Sequence, residues 1–268
     1  MFEHYSPDEG FALIVGIIVV MVSWIPWYYQ LAVVGRRVRK LGRRQPLALA
    51  PLVCALLLYF VLDRWSAEDV RFDPAYMLFY MVIGLAWLGL FRLPLPRFGL
   101  SPRDDVLERG NDATGWATAG ALIGGTCCFA GANVGNGPGW WVVLFSGMLS
   151  TTALMLLWYL LHKATGLYEK VSIERDTAAG LRVAGFFVGA GLILGRAVAG
   201  DWVSAGATAV DFAGMAWPAA ILTTMAVAVE QICPQRPMSG LAECLFYGLS
   251  PALFYVAAGG LVMFAWGL

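Results

Sequence analysis

Hydrophobic residues in this chain fall into eight long runs, which are separated by short polar or charged stretches. Crossing a hydrocarbon layer of about 30 Å takes about 20 residues of α-helix, and most of the runs have about this length. The runs are apolar throughout and do not alternate between polar and apolar positions, which excludes a β-barrel. The pattern therefore predicts an all-α, polytopic helical membrane protein, with spans at 11–34, 47–62, 75–91, 114–134, 139–162, 178–199, 207–229 and 245–266.

The second and third runs are shorter than the others. Two separate crossings and a hairpin tucked among longer helices both fit them. We predict three parts of the chain: an N-terminal extension with three spans, a duplicated core with four spans, and a final span. Their bounds are 1–107, 108–229 (repeats 108–172 and 173–229) and 230–268.

The distribution of Lys and Arg predicts the orientation, because basic residues in short loops stay on the cytoplasmic side. A cytoplasmic loop after the first span leaves only Arg64, Arg71 and Arg196 near the outer face and places both termini outside. That loop sets the topology, and contact with anionic lipid or an acidic partner is a second interpretation. Its basic residues are Arg36, Arg37, Arg39, Lys40, Arg43 and Arg44.

The composition agrees with a membrane protein and removes other classes. Hydrophobic residues make up 59% of the chain and charged residues 13%, and the mean hydropathy is +0.69. The eighteen basic and eighteen acidic residues cancel, which argues against a nucleic-acid partner. Five cysteines and two histidines lack metal-binding spacing, so we expect no metal, no cofactor and no disulfide framework. No nucleotide-binding or nucleophile-elbow motif occurs, and we expect no enzyme activity.

A pattern of small residues occurs twice in the middle of the chain. Shifted by 65 residues, both copies read A-x-G-x-x-x-A-G-x-x-x-G, beginning at Ala113 and at Ala178. This predicts two copies of a two-helix unit that run in the same direction. Small residues four apart either let two helices pack closely or line a groove or moving interface. The glycines concerned are Gly115, Gly120, Gly124, Gly180, Gly185 and Gly189.

Each copy opens on polar residues that follow a charged loop. Asn111 and Asp112 precede the first helix, and Asp176 and Thr177 precede the second. Such side chains accept hydrogen bonds from the free amides at a helix start, so we predict N-caps. A cytoplasmic gate or a docking site for a cation or protein is the alternative.

The two openings resemble the duplicated Asn-Thr-Ala-Ala signature of the YjfL-like family of bacterial inner-membrane proteins of unknown function. The sequences are Asn111-Asp112-Ala113-Thr114-Gly115 and Asp176-Thr177-Ala178-Ala179-Gly180. The resemblance covers about residues 108–229 and departs from the family at Asp176, where the family has Asn. It implies a bacterial cytoplasmic membrane, no known enzyme activity and a genomic association with envelope-stress and polyamine-related genes. It supplies no mechanism and does not account for the other four spans.

Few ionisable residues fall inside the spans, and those that do are candidates for function. Arg196 and Asp211 have similar depth on consecutive antiparallel spans, which predicts an ion pair near the outer face. The pair either clamps the hairpin, or its members reach the interface separately, or it serves a substrate, an ion or a gate. Arg182, Glu230 and Glu243 lie near the inner ends, as a polar cluster or as ordinary solvated helix ends.

Two functions are open from the sequence. The repeat, the glycine-lined helices and the outer charges favour a transporter or channel-like subunit for a small solute or ion. The basic loop and the low intramembrane polarity favour a non-transporting subunit that anchors or senses for a partner. The expected partners are the lipid bilayer, a membrane or cytoplasmic protein and a second copy of the chain.

Overall fold

The computed structural model describes residues 5–37, 44–234 and 236–267, and no β-strand occurs among them. The α-helices are α1 (Pro7–Arg37), α2 (Gln45–Trp65), α3 (Glu68–Arg71), α4 (Pro74–Phe91), α5 (Asp112–Gly131), α6 (Trp140–Thr165), α7 (Thr177–Val198), α8 (Ala205–Met215), α9 (Trp217–Ile232), α10 (Leu241–Glu243) and α11 (Ser250–Ala265). A 3-10 turn lies at Leu95–Phe98, and π-helical turns lie at Pro102–Glu108, Glu169–Ile173 and Cys244–Leu249. Arg39, Lys40 and Arg43 of the basic loop lie outside the described residues, as do the side chains of Arg36 and Arg37.

Seven helical segments are long and apolar enough to cross a membrane: Pro7–Val33, Gln45–Trp65, Pro74–Phe91, Trp140–Thr165, Thr177–Val198, Ala205–Ile232 and Leu241–Ala265. The prediction of an all-α, polytopic bundle is thereby confirmed. The second and third predicted runs are separate helices, α2 and α4, joined through α3.

The remaining predicted run forms α5, which is not among those seven. This helix has 20 residues and is rich in Gly, Ala and Thr, which lowers its hydropathy. Seventeen of these residues are buried by protein. A helix that is surrounded by other helices needs little lipid-facing apolar surface. Eight crossings, and the orientation derived from them, therefore stay predictions.

Four helices form a row in which neighbours run in the same direction: α2, α5, α7 and α11. The α5–α7 pair meets near its start, where Gly180 contacts Ala113, and near its end, where Gly195 contacts Cys127. The α7–α11 pair is likewise parallel, because Gly248 contacts Ala178 and the later residue Gly259 contacts Gly189. On the other side of α5 lies α2. Ser66, the residue that follows α2, forms an isolated β-bridge with Val134, which follows α5, so the two helices end side by side.

Glycines let the helices of this row approach until their backbones touch. A Cβ at Gly120 would collide with the backbone of Ala184, and one at Gly124 with the carbonyl of Phe187. At the α7–α11 contact, Gly185 meets the backbone of Ala252 and Gly189 the carbonyl of Tyr255. Such contacts explain the small residues at four-residue spacing, because association in lipid depends on close packing. Gly115 is buried in the first turn of α5.

Turns with the same hydrogen bonds precede α5 and α7. In each turn one amide donates to the carbonyl five residues earlier, and the amide of the helix N-cap donates to the carbonyl six residues earlier. The bonds are Arg109 to Asp104 and Asn111 to Asp105 before α5, and Glu174 to Glu169 and Asp176 to Lys170 before α7. The residue before each N-cap is left-handed: Gly110 has φ 67° and Arg175 has φ 57°. The spacing between the two turns is the 65 residues of the sequence pattern.

The other long helices cover this row. α1 packs against α4, while α6 packs across α5 and α7 and also against α9. Two connections meet at the end where α5 and α7 finish, since the amide of Gly200 donates to the carbonyl of Val134 and the amide of Trp202 to that of Asn136. The two ends of the row therefore differ: one carries the π-helical turns, and the other carries the joined connections.

We expect Gly124→Val to prevent folding or to lower thermal stability strongly, because the added side chain meets the backbone of α7 and not a movable side chain. Overpacking of a well-packed site costs about 1–3 kcal/mol or more. Gly260→Val is the matched control, since nothing lies within 4 Å of a Cβ at Gly260. The measurement is monodispersity and thermal unfolding of both variants in detergent. Equal stability of the two variants would contradict the backbone contact.

Candidate functional site

A buried cluster of charges lies near the start of α7 and the end of α9, at the end of the row that carries the π-helical turns. Arg182 is 1% exposed and Glu230 is 3% exposed. The guanidinium donates to both carboxylate oxygens, with Nη2 2.9 Å from Oε2 and Nε in contact with Oε1. Such a bidentate pair holds both side chains in one geometry. Two members of the predicted polar cluster therefore form one site.

Lys170 joins this pair from the π-helical turn before α7. Its Nζ lies 3.4 Å from Oε2 of Glu230, and the residue is 9% exposed. Arg182 also donates through Nη1 to the carbonyl of Tyr247. Tyr255 lines the same small void as Arg182 and Glu230, and its buried hydroxyl has no hydrogen-bond partner among the described residues. Two cations thus share one carboxylate in a site closed to solvent.

Glu243, the third predicted member, lies elsewhere. Its carboxylate pairs with Arg236, whose side chain is 65% exposed. The reason is local, because the connection between α9 and α10 places Arg236 beside the start of α10. The interpretation as an ordinary helix end therefore holds for Glu243 and not for Arg182 and Glu230.

The predicted helix starts are N-caps at two of the four positions. Asn111 caps α5 by accepting from the amides of Ala113 and Thr114, and its Nδ2 donates to the carbonyl of Val171 at 2.8 Å. Asp176 caps α7 by accepting from the amide of Ala179 at 3.0 Å. Asp112 and Thr177 are instead the first residues of the two helices.

Asp176 is a buried cap, and burial has an electrostatic cost. The residue is 1% exposed. Burial raises the pKa of its carboxyl above the ordinary value, while the bond from Ala179 and the charge of Arg182 act in the opposite direction. A carboxyl whose pKa is raised by folding destabilises the folded state when it is ionised.

The predicted ion pair between Arg196 and Asp211 does not form, which corrects the sequence interpretation. Arg196 donates to the backbone carbonyls of Trp266 and Ala199. Asp211 is exposed on α8. Backbone carbonyls accept from Nη1 and Nη2 of Arg196 because the end of α11 lies next to the end of α7. The depth of a residue along a single helix does not reveal this arrangement.

Asp211 instead lines a cavity of about 500 Å³ at the end where α5 and α7 finish. The walls come from α3, α4, α6 and α8, and the connections after α5 and α7 close the remaining side. The charged lining residues among the described ones are all acidic: Asp69, Asp201 and Asp211.

Asn133 and Ser146 add buried polar groups to the wall of this cavity. Asn133 is 6% exposed and Ser146 is 4% exposed. The Nδ2 of Asn133 donates to the carbonyl of Phe129 at 2.7 Å, whereas its Oδ1 is buried and has no partner among the described residues. A buried carbonyl oxygen without a donor favours a ligand that carries a hydrogen-bond donor or a positive charge.

Sequence reasoning missed Lys170, Asp69 and Asp201. All three lie in connections between spans, where charged residues are ordinarily solvated. The sequence offered one signal for the two acids, because the predicted topology places Asp69, Asp201 and Asp211 near the same, outer face of the membrane. Nothing in the sequence distinguished Lys170 from the other basic residues of its loop.

Comparison with known proteins identifies a domain but no activity. Residues 67–198 match the family described as Domain of Unknown Function (DUF350). The match runs from the connection before α4 to the end of α7 and thus includes both N-caps but neither α8 nor α9. No curated protein and no solved structure matches the chain. The narrower YjfL-like resemblance stays a prediction.

We expect Glu230→Gln to lower the free energy of unfolding by about 3–5 kcal/mol, because it leaves two buried cations without their anion. Glu243→Gln is the matched control, since its solvent-exposed pair with Arg236 contributes little to stability. Thermal unfolding in detergent compares the two variants. A loss in Glu230→Gln no larger than in the control would mean that the charge cluster is not closed to solvent.

Asp176 allows a test of capping apart from charge. Asp176→Asn keeps an acceptor for Ala179 and removes the buried negative charge, so we expect unchanged or slightly higher thermal stability. Asp176→Ala removes the cap and costs about 1 kcal/mol. If Asn is as destabilising as Ala, the attraction between Asp176 and Arg182 outweighs the cost of burying the charge, which would contradict the expectation.

Proposed function

We propose that the protein binds a small organic cation in the acidic cavity and transports it across the membrane. The observation that carries this proposal is the cavity of about 500 Å³ whose described charged residues are all carboxylates. Its volume lies within the range of about 300–1,000 Å³ that is typical of small-molecule sites.

Two further features favour a positive ligand. The cavity lies at the C-terminal ends of α5 and α7, where the free carbonyls of a helix give a partial negative charge. The buried Oδ1 of Asn133 is an acceptor that a cationic donor would satisfy. The helix ends and the carboxylates thus both make the electrostatic potential in the cavity negative.

The apolar part of the lining favours an organic ligand over a bare metal ion. Tyr80, Trp202 and Met215 line the cavity together with several Val residues. Aromatic faces attract alkylammonium groups by cation–π interactions, and the aliphatic side chains contact their methylene groups. A bare inorganic cation would leave this apolar surface unused.

The opposite end of the α5–α7 pair is closed in this conformation. The Lys170–Glu230–Arg182 cluster is buried there, and α5 and α7 touch through their backbones between the two ends. A transporter that is open at one end and closed at the other requires a second conformation for release. We assign the cluster to the closed end of that cycle.

The proposal includes the orientation and the duplication. We place the acidic cavity and both termini on the outer, periplasmic side of a bacterial cytoplasmic membrane, because basic loops remain inside. We also infer that α5–α6 and α7–α9 are two copies of one unit. Support comes from the matching turns before α5 and α7 and from their parallel course.

A second candidate is a non-transporting subunit that anchors or senses for a partner. The observation in its favour is the exposure of basic side chains at the proposed cytoplasmic end, where Arg103 is 70% and Arg109 is 63% exposed. Under this alternative the outer cavity binds its ligand as a signal, without uptake.

The test uses proteoliposomes and two probes, tetramethylammonium and 1,6-diaminohexane. We expect saturable uptake and binding of at least one probe by the native chain. Asp211→Asn and Asp69→Asn each weaken binding about fivefold, which corresponds to about 1 kcal/mol of charge interaction.

Asp63→Asn is the matched control, because Asp63 is an exposed acid at the same end that does not line the cavity. Binding without uptake would support the sensing alternative. Absence of binding, or equal loss in Asp63→Asn and Asp211→Asn, would overturn the cation site.

A further inference from the structure

A second cavity, of about 220 Å³, lies at the other end of the molecule, between the C-terminal parts of α1 and α4 and the turns that follow α4. One part of its lining is apolar and includes Trp27, Leu31 and Leu47. The other part carries Arg92, Ser101 and Arg103, and the described lining residues include no acid. A cavity that is apolar on one side and basic on the other suits an anion with an apolar substituent.

Arg92 is a fixed cation in the wall of this cavity. Its guanidinium lies 5.7 Å from the ring of Trp24 and 5.4 Å from that of Trp27, and Nη2 donates to the carbonyl of Ser23 at 2.7 Å. Its Nε is buried without a hydrogen-bond partner, and no carboxylate lies within 4 Å of it among the described residues. Burial lowers the pKa of this guanidinium, so the environment holds a cation that lacks an anion.

Arg103 supplies a second, movable guanidinium. Its side chain is 70% exposed and lies 3.5 Å from a carboxylate oxygen of Glu108. Exposed pairs of this kind contribute little, so Arg103 can exchange Glu108 for a ligand in the cavity. Of the two other acids of this turn, Asp104 accepts from the hydroxyl of the lining residue Ser101, and Asp105 pairs with Arg109; neither acid itself lines the cavity.

The position of the cavity indicates where the ligand comes from. Trp24, Trp27 and Tyr28 mark the level at which α1 leaves the apolar layer, since aromatic rings prefer the headgroup region. The exposed side chain of Leu93 lies at the rim. A phosphate group at this level can carry acyl chains into the bilayer, while a soluble phosphate compound reaches the same site from the water.

We propose that this cavity binds a phosphate-bearing anion, held by Arg92 and Arg103 with its apolar part against Trp27 and Leu47. The inference is independent of the cation site, which lies at the opposite end of the molecule. Two guanidinium groups match phosphate oxygens because each offers paired N–H donors.

The test measures thermal unfolding of delipidated full-length protein with added phosphatidylglycerol, phosphatidylcholine, inorganic phosphate or glycerol 3-phosphate. We expect phosphatidylglycerol to stabilise the native chain and to require about tenfold more lipid for the same effect in Arg103→Gln, because one charged hydrogen-bond donor is lost. Arg97→Gln is the matched control, since Arg97 is exposed on the neighbouring turn and does not line the cavity.

Arg92→Gln removes the fixed cation, and we expect it to lose the stabilisation by phosphatidylglycerol. Arg92→Lys retains the charge and replaces this variant if Arg92→Gln fails to fold, with part of the stabilisation kept. Stabilisation by phosphatidylglycerol but not by glycerol 3-phosphate identifies a lipid headgroup as the source of phosphate. Stabilisation by glycerol 3-phosphate or inorganic phosphate alone identifies a soluble compound. Equal responses of Arg103→Gln, Arg97→Gln and the native chain, or no response to any probe, overturn the proposal.

Discussion

The contact between the backbones of α5 and α7 is the constraint on which the rest of the structure depends. Gly124 and Gly131 on α5 meet carbonyls of α7, and Gly191 and Gly195 on α7 meet α5 in return. In lipid no hydrophobic effect drives two apolar helices together, so dispersion over a close interface must do so. That requirement explains why the most buried helices of this membrane protein are also rich in its smallest residues.

Charge is distributed unevenly between the two segments that the 65-residue spacing relates. Arg182 and Glu230 correspond to Ala117 and Thr165, which are uncharged. The buried ion pair therefore has no charged counterpart 65 residues earlier in the chain, although the turns before α5 and α7 share their hydrogen bonds.

Much of this fold was predictable from the sequence, because lipid restricts the choice to helices. Apolar runs located most long helices to within a few residues, although the run predicted at 207–229 forms two helices, α8 and α9. The signature at Asn111 and Asp176 located two caps. The partners of Arg196 were not predictable, because they are the backbone carbonyls of Trp266 and Ala199. Every residue has a backbone carbonyl, so no side-chain pattern in the sequence marks these acceptors. Lys170 and Asp201 depend on how connections fold over helix ends, which helical periodicity does not encode.

An interface made of backbone atoms has a mechanical consequence. Side chains that interdigitate can repack by changing rotamer, but between Gly124 and Gly191 there is no rotamer to change. Relative movement of α5 and α7 is therefore a rigid shear or pivot. Hydrogen bonds also link the two ends of the pair, from Asn111 to Val171 and from Trp202 to Asn136, so such a movement involves the connections at both ends together.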